Sequence, residues 1–161
     1  MTPVIKQVLD AVDAALGTLS GAPTVHVNPD YALSVEDLPA VARFWSGQAV
    51  EHLDAGAKLY TVRVDIGLVE TSKRADFPEG TPRKEMLRAA EASLIERHAE
   101  LVRTISRDAG IWALAQDIRE AAEGGEPQQA QEGATLLMQL TVGFEIDVET
   151  ADTDPASLPG A

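Results

Sequence analysis

The chain has no cysteine. Disulfide scaffolds, cysteine-ligated zinc, cysteine nucleophiles and iron–sulfur ligation are excluded together by that one absence. No uninterrupted apolar run approaches the ~20 residues that a membrane helix needs. Met1 to Lys6 shows no basic start, apolar stretch or small-residue cleavage site. The expectation is a soluble protein made in the cytoplasm, with no membrane contact. Cations are scarce: 13 Lys and Arg face 26 Asp and Glu, for a formal net charge of −13. Such a chain is repelled by phosphate backbones. Its charge serves solubility, or a surface past which nucleic acid slides without sticking.

Recognisable chemistry is also missing. His26, His52 and His98 have no partner at metal-ligand spacing, and no H-E-x-x-H is present. Gly124-Gly125 leads into Glu126-Pro127 rather than a Lys-Ser/Thr pair and a helix, so it does not read as a phosphate loop. Ser72, Ser93 and Ser106 lie outside any nucleophile-elbow pattern. Asp65 and Glu145 fall on the polar faces of two strands that could be neighbours. A catalytic pair would need a cleft and one raised pKa, and solvated sheet residues are the simpler reading. The sequence therefore predicts no catalytic residue, no metal and no cofactor.

With 161 residues the chain suits one domain with a real core. Val4, Ile5, Val8, Leu9, Val12, Ala15, Leu16 and Leu19 form one stripe of an amphipathic helix, with Thr2 as its cap and Pro3 in its first turn. Thr24 to Val27 is a short strand candidate. Leu38-Pro39 opens another through Val41, Arg43 and Trp45, with a break at Ser46-Gly47. Residues 58–70 alternate as a strand, with Tyr60, Val62, Val64, Ile66 and Leu68 on one face. A loop runs from Thr71 to Pro82, long enough to be functional or disordered. A long helix over about 83–106 follows, with Leu87, Ala90, Leu94, Leu101 and Ile105 in a stripe widened by Ile95 and Val102. Ile111 to Ala122 reads as a second, short helix. Glu123 to Gly133 reads as a flexible connection. Leu136 to Val148 alternates as a second long strand. The order lacks a βαβα rhythm and predicts an α+β fold, a mainly antiparallel sheet with helices packed on one face. The domain is expected to span 1–148, with 149–161 a flexible acidic tail.

Two features suggest contacts. Lys73, Arg74, Arg83 and Lys84 crowd four cations around one loop, and Phe77 offers an apolar anchor there. This is either a solvated loop or an arm that meets an acidic neighbour or DNA. Arg83 and Lys84 fall in a first helical turn, where the dipole disfavours cations. Leu137 interrupts the polar face of the last strand. That strand is either internal to the sheet or an edge that pairs with another subunit.

This ordered pattern resembles the tail terminator family of long-tailed bacteriophages, small proteins that cap a finished tail tube. The resemblance rests on the helix Val4 to Leu19, the β segment Thr24 to Val27, and Leu38-Pro39 leading to a strand. It continues through the alternating strand Tyr60 to Val69 with its long loop, and the helix Arg83 to Ile105 followed by Arg107-Asp108-Ala109-Gly110-Ile111-Trp112-Ala113-Leu114. The strand Leu136 to Val148 closes it. The resemblance implies a structural virion protein forming a ring, commonly a hexamer. The ring would sit on the tail-tube protein, end tube polymerisation, and offer a joining surface to the head–tail connector protein. DNA would pass through the lumen without sequence-specific binding. The expected locations are the host cytoplasm during assembly and then the virion tail or neck. Other head–tail neck components share this layout, and a small-molecule-binding α+β regulatory domain is the alternative from another class.

Overall fold

The computed structural model describes residues 2–53, 56–122 and 125–151. A helix, α1 (Val4–Leu16), leads to a short strand, β1 (Thr24–Val27), and then to a long hairpin, β2 (Ala40–Leu53) and β3 (Ala57–Lys73). A second helix, α2 (Arg83–Arg107), and a single turn, α3 (Ala109–Trp112), follow. Strands β4 (Asp117–Glu120), β5 (Gln128–Glu132) and β6 (Thr135–Ala151) complete the chain. The sheet order is β1-β2-β3-β6-β4, with β5 also on β6. Only β1 and β2 run parallel. The fold is α+β with a mainly antiparallel sheet.

Both main helices lie on one face, because the pleat sorts the strands cleanly. Val62, Val64, Ile66 and Leu68 of β3 and Val142, Phe144, Ile146 and Val148 of β6 point to the same side. They share one core with Val4, Val8, Val12, Ala15 and Leu16 of α1 and Ala90, Leu94, Leu101 and Ile105 of α2. Burying a side chain of this kind contributes about 1.5–3 kcal/mol, so this layer dominates stability. A smaller cluster on the opposite face joins Leu33 and Leu38 to Ala40, Ala42, Phe44 and Val69. There the segment 31–39 crosses the upper half of the sheet.

Several expectations need correction. Pro3, not Thr2, precedes α1, and no side chain caps the helix. In α2, Met86 is buried, while Ile95 is exposed and lies outside the stripe. The predicted helix over 111–122 is one turn of α3 and then strand β4. The Asp108 side chain accepts from the Ile111 amide and so starts that turn. The chain leaves it when the Gln116 amide donates to the Asp147 carbonyl on β6, and the ladder takes over. Within the expected flexible connection, Gln128–Glu132 forms a hairpin with β6. Ser46-Gly47 is a bulge rather than a break, and β2 continues to Leu53. Strand β6 reaches Ala151, three residues past the expected domain boundary at 148. The remainder of the expected tail, 152–161, lies outside the described residues, as do Glu123 and Gly124 of the connection.

Candidate functional site: the cationic end of the sheet

The end of β3, the start of β6, the hairpin strand β5 and the first turn of α2 meet at one end of the molecule. Lys73 pairs with Thr135 in the last row of the sheet. Beyond it the loop is built rather than loose. Arg74 Nη1 donates to the Thr81 carbonyl at 2.5 Å and lies 3.4 Å from Met86 Sδ. The Thr81 hydroxyl donates to the Pro78 carbonyl at 2.7 Å, and a one-turn 3-10 segment spans Arg74–Asp76. Phe77 is half-buried. Arg74, Arg83, Met86, Gln131, Ala134 and Leu136 line a cleft of about 210 Å³.

The predicted cations therefore separate by role. Arg74 holds the loop. Lys73, Arg83 and Lys84 are exposed and form no ion pair among the described residues. Arg88, one turn further along α2, belongs with them and was missed. Its spacing of four residues from Lys84 was the available signal. Leu137 does not belong to this surface. It is 1% exposed, between Thr71 of β3 and Ala130 of β5 in its row. A contact role for Leu137 is overturned, because β5 makes this stretch of β6 internal.

Elsewhere the cations are divided: Arg43, Arg63, Arg97 and Arg119 are held in ion pairs, while Arg103 and Arg107 of α2 are exposed and form none among the described residues. On the helix-free face, Arg119 of β4 reaches Glu145 at 2.9 Å, Asp117 at 3.1 Å and Asp147 at 2.5 Å. The Thr61 hydroxyl donates to Asp147 at 2.6 Å. The Asp147 hydrogen bond is the main reason the Arg119 guanidinium is held above its ordinary pKa. Burial alone would raise Asp147, but the Arg119 and Thr61 hydrogen bonds and the Arg119 charge outweigh it, and the pKa is lowered. Asp65 and Glu145 do lie on neighbouring strands. Arg63 Nε sits 3.3 Å from Asp65 and Arg119 holds Glu145, so each carboxylate already has a cationic partner.

The histidines stay apart. His26 Nδ1 lies 2.9 Å from the Tyr31 hydroxyl, and His98 Nε2 lies 2.8 Å from Glu120. No three His, Asp or Glu are grouped to hold a metal ion among the described residues. No helix among them is long and apolar enough to cross a membrane. No protein-family model matches the chain, and no curated protein matches it in sequence.

Proposed function

We propose that this chain is a structural assembly subunit that forms a ring capping a phage tail tube, ends tube growth and offers a surface for head joining. The observation that carries this reading is the distribution of cations. Arg43, Arg63 and Arg119 on the sheet are held in ion pairs, whereas Lys73, Arg83 and Lys84 are gathered and exposed, with no ion pair among the described residues, at one end of a chain of net charge −13. Unpaired charge concentrated on a built loop and a helix end suits electrostatic docking onto an acidic neighbour. The acidic remainder suits a lumen through which DNA moves without adhering.

A neck component with the same surfaces would dock on the connector instead of the tube. A ligand-binding role has less support. The cleft between Pro23, Leu38, Pro39, Val69 and Arg97 is about 260 Å³, below the roughly 300–1,000 Å³ usual for ligand sites. The larger one, about 570 Å³, is lined by Ser20, Ser93, Glu96, Arg97, Glu100 and Arg103 rather than by the mainly apolar side chains of such sites.

The test is tail-tube polymerisation with and without the purified chain, with tube lengths read by electron microscopy. The wild-type chain should limit tube length. The variant Lys73→Glu/Arg83→Glu/Lys84→Glu should leave growth unlimited while its circular dichroism stays unchanged. Wild-type chain that leaves tube length unaltered sinks the reading.

A further inference from the structure

The sheet has one long open edge. Strand β1 covers β2 only from Ala40 to Arg43. Past the bulge, Gly47–Leu53 pairs with β3 on one side, and no described residue pairs with its other side. Residues 48–52 are exposed whichever face they point to, so this arm projects beyond the helical layer. It carries neither Lys nor Pro; a bulge at its base and the single acid Glu51 are its only edge-blunting features. Of the six exposed large apolar side chains among the described residues, Val50 lies on it and Trp45 adjoins it at the bulge. Open backbone flanked by exposed apolar groups is a template for strand addition.

The opposite edge of the same sheet supplies a matching strand. Among the described residues β4 pairs only with β6, so its outer side is open too. Ala49, Thr61, Asp147 and Asp117 form one continuous row across β2, β3, β6 and β4. The open part of β2 and the whole of β4 therefore lie at the same level. Strands β2, β3, β6 and β4 alternate in direction. A second copy displaced sideways along the sheet thus brings its β4 antiparallel to β2 of the first. In that register Asp117 meets Ala49 and Arg119 meets Gly47, and no like charges face each other.

We propose that the open edge of β2 is a joint that takes β4 of a second copy of this chain, continuing the sheet from subunit to subunit. The contact is head-to-tail, so it leaves an open edge on each copy for the next and closes only as a ring or runs on as a filament. This joint rests on the ring reading above and names the surface that would build the ring.

Because the chain has no cysteine, introduced thiols report the joint without background. Cross-strand neighbours fall within the roughly 4.4–6.8 Å Cα separation a disulfide requires. The variants are Ala49→Cys/Asp117→Cys and, to allow a two-residue offset, Glu51→Cys/Asp117→Cys. They are oxidised over a range of protein concentrations and run on non-reducing gels. The expected result is a ladder of three or more linked copies from a double variant and none from the single variants. Adding Val50→Lys, an exposed change that leaves the melting temperature unaltered, should abolish the ladder. Disulfide dimers from Ala49→Cys alone would mean a two-fold β2–β2 contact and overturn the joint. No linkage from either double variant overturns it as well. Rings seen by microscopy without a ladder reject the joint and leave the ring. A ladder with no effect on tail tubes keeps the joint and rejects the capping role.

Discussion

Arg43 of β2 grips Asp13 of α1 with both arms of its guanidinium, Nε to Oδ1 at 2.7 Å and Nη2 to Oδ2 at 2.6 Å. The Arg43 side chain is 5% exposed and that of Asp13 25%. The pair fastens the first helix to the sheet just above the bulge. Removing the carboxylate with Asp13→Ala strands a buried guanidinium. Breaking a buried pair costs about 3–5 kcal/mol, and the partial exposure of Asp13 puts the expected loss at the lower end, about 3 kcal/mol. Urea unfolding measures it. A loss under about 1 kcal/mol would place this pair with ordinary surface ion pairs.

Asp147 gives the protein a pH dependence of known sign. Its folded pKa lies below its ordinary value of 3.8. The ionised form is therefore the stabilising one. Its contribution is full above that value and is lost as pH falls through the lowered folded pKa. Arg119 is 42% exposed, which discounts the interaction, so Asp147→Asn should cost about 1–2 kcal/mol at neutral pH. At this chain length that is roughly 2–4 °C per kcal/mol in melting temperature. The gap between wild type and variant should shrink on acidification from about pH 5 toward pH 3. A gap that persists unchanged at acid pH would assign the effect to packing.

The long elements were legible because each carries its own period. Val62 to Leu68, Val142 to Val148 and the stripe of α1 report burial directly, and the α+β class follows from their order. The parts that failed depend on partners distant in sequence. Ile111, Leu114, Ala115 and Ile118 fit a helical face, yet Arg119 finds Glu145 and Asp147 more than twenty residues on, and the ladder overrides the local pattern. In β2 the bulge shifts the phase. Val41 and Trp45 face the helices at odd positions, while after Ser46 it is Val50, an even position, that faces that way. A strict alternation therefore stops at the bulge, and the open edge beyond it could not be read. Strand β5 is polar but for Ala130, exposed throughout, and set by its pairing with β6. At the candidate site the sequence supplied the cations but not their division. Arg74 and Arg83 look equivalent in the chain, and only the reach to Thr81 distinguishes them.

Arg74 is accordingly expected to behave unlike its neighbours. Arg74→Ala removes the donor on the Thr81 carbonyl and should loosen residues 75–81 without unfolding the domain. Limited proteolysis should cut that loop faster in Arg74→Ala than in wild type, whereas Lys73→Ala, Arg83→Ala and Lys84→Ala should leave the rate unchanged. Equal protection in all four would mean that the Arg74 bond does not hold the loop.

Gly143 tests how closely the two central strands approach β4. It stands opposite Asp65 on β3, and its carbonyl accepts from the Ala121 amide at 2.8 Å. A Cβ there would lie 2.8 Å from Asp65 Oδ1, 3.0 Å from Ala121 Cβ and 3.3 Å from Arg63 Nη2. Asp65 can swing aside only by giving up its bonds from Ser46 and Arg63. Ala121 is fixed by the hydrogen bond its amide donates to the Gly143 carbonyl. Replacing glycine in a strand by alanine normally stabilises by about 0.5–1 kcal/mol, but overpacking costs about 1–3 kcal/mol. With a rigid neighbour at 3.0 Å the crowding wins, and Gly143→Ala should destabilise by about 1 kcal/mol. Gly17→Ala is the control. Gly17 has φ −64°, its added Cβ meets nothing closer than 3.4 Å, and the change should be neutral or stabilising by up to about 1 kcal/mol. Opposite signs for the two substitutions in chemical unfolding would establish that close backbone approach, rather than glycine's flexibility, fixes residue 143.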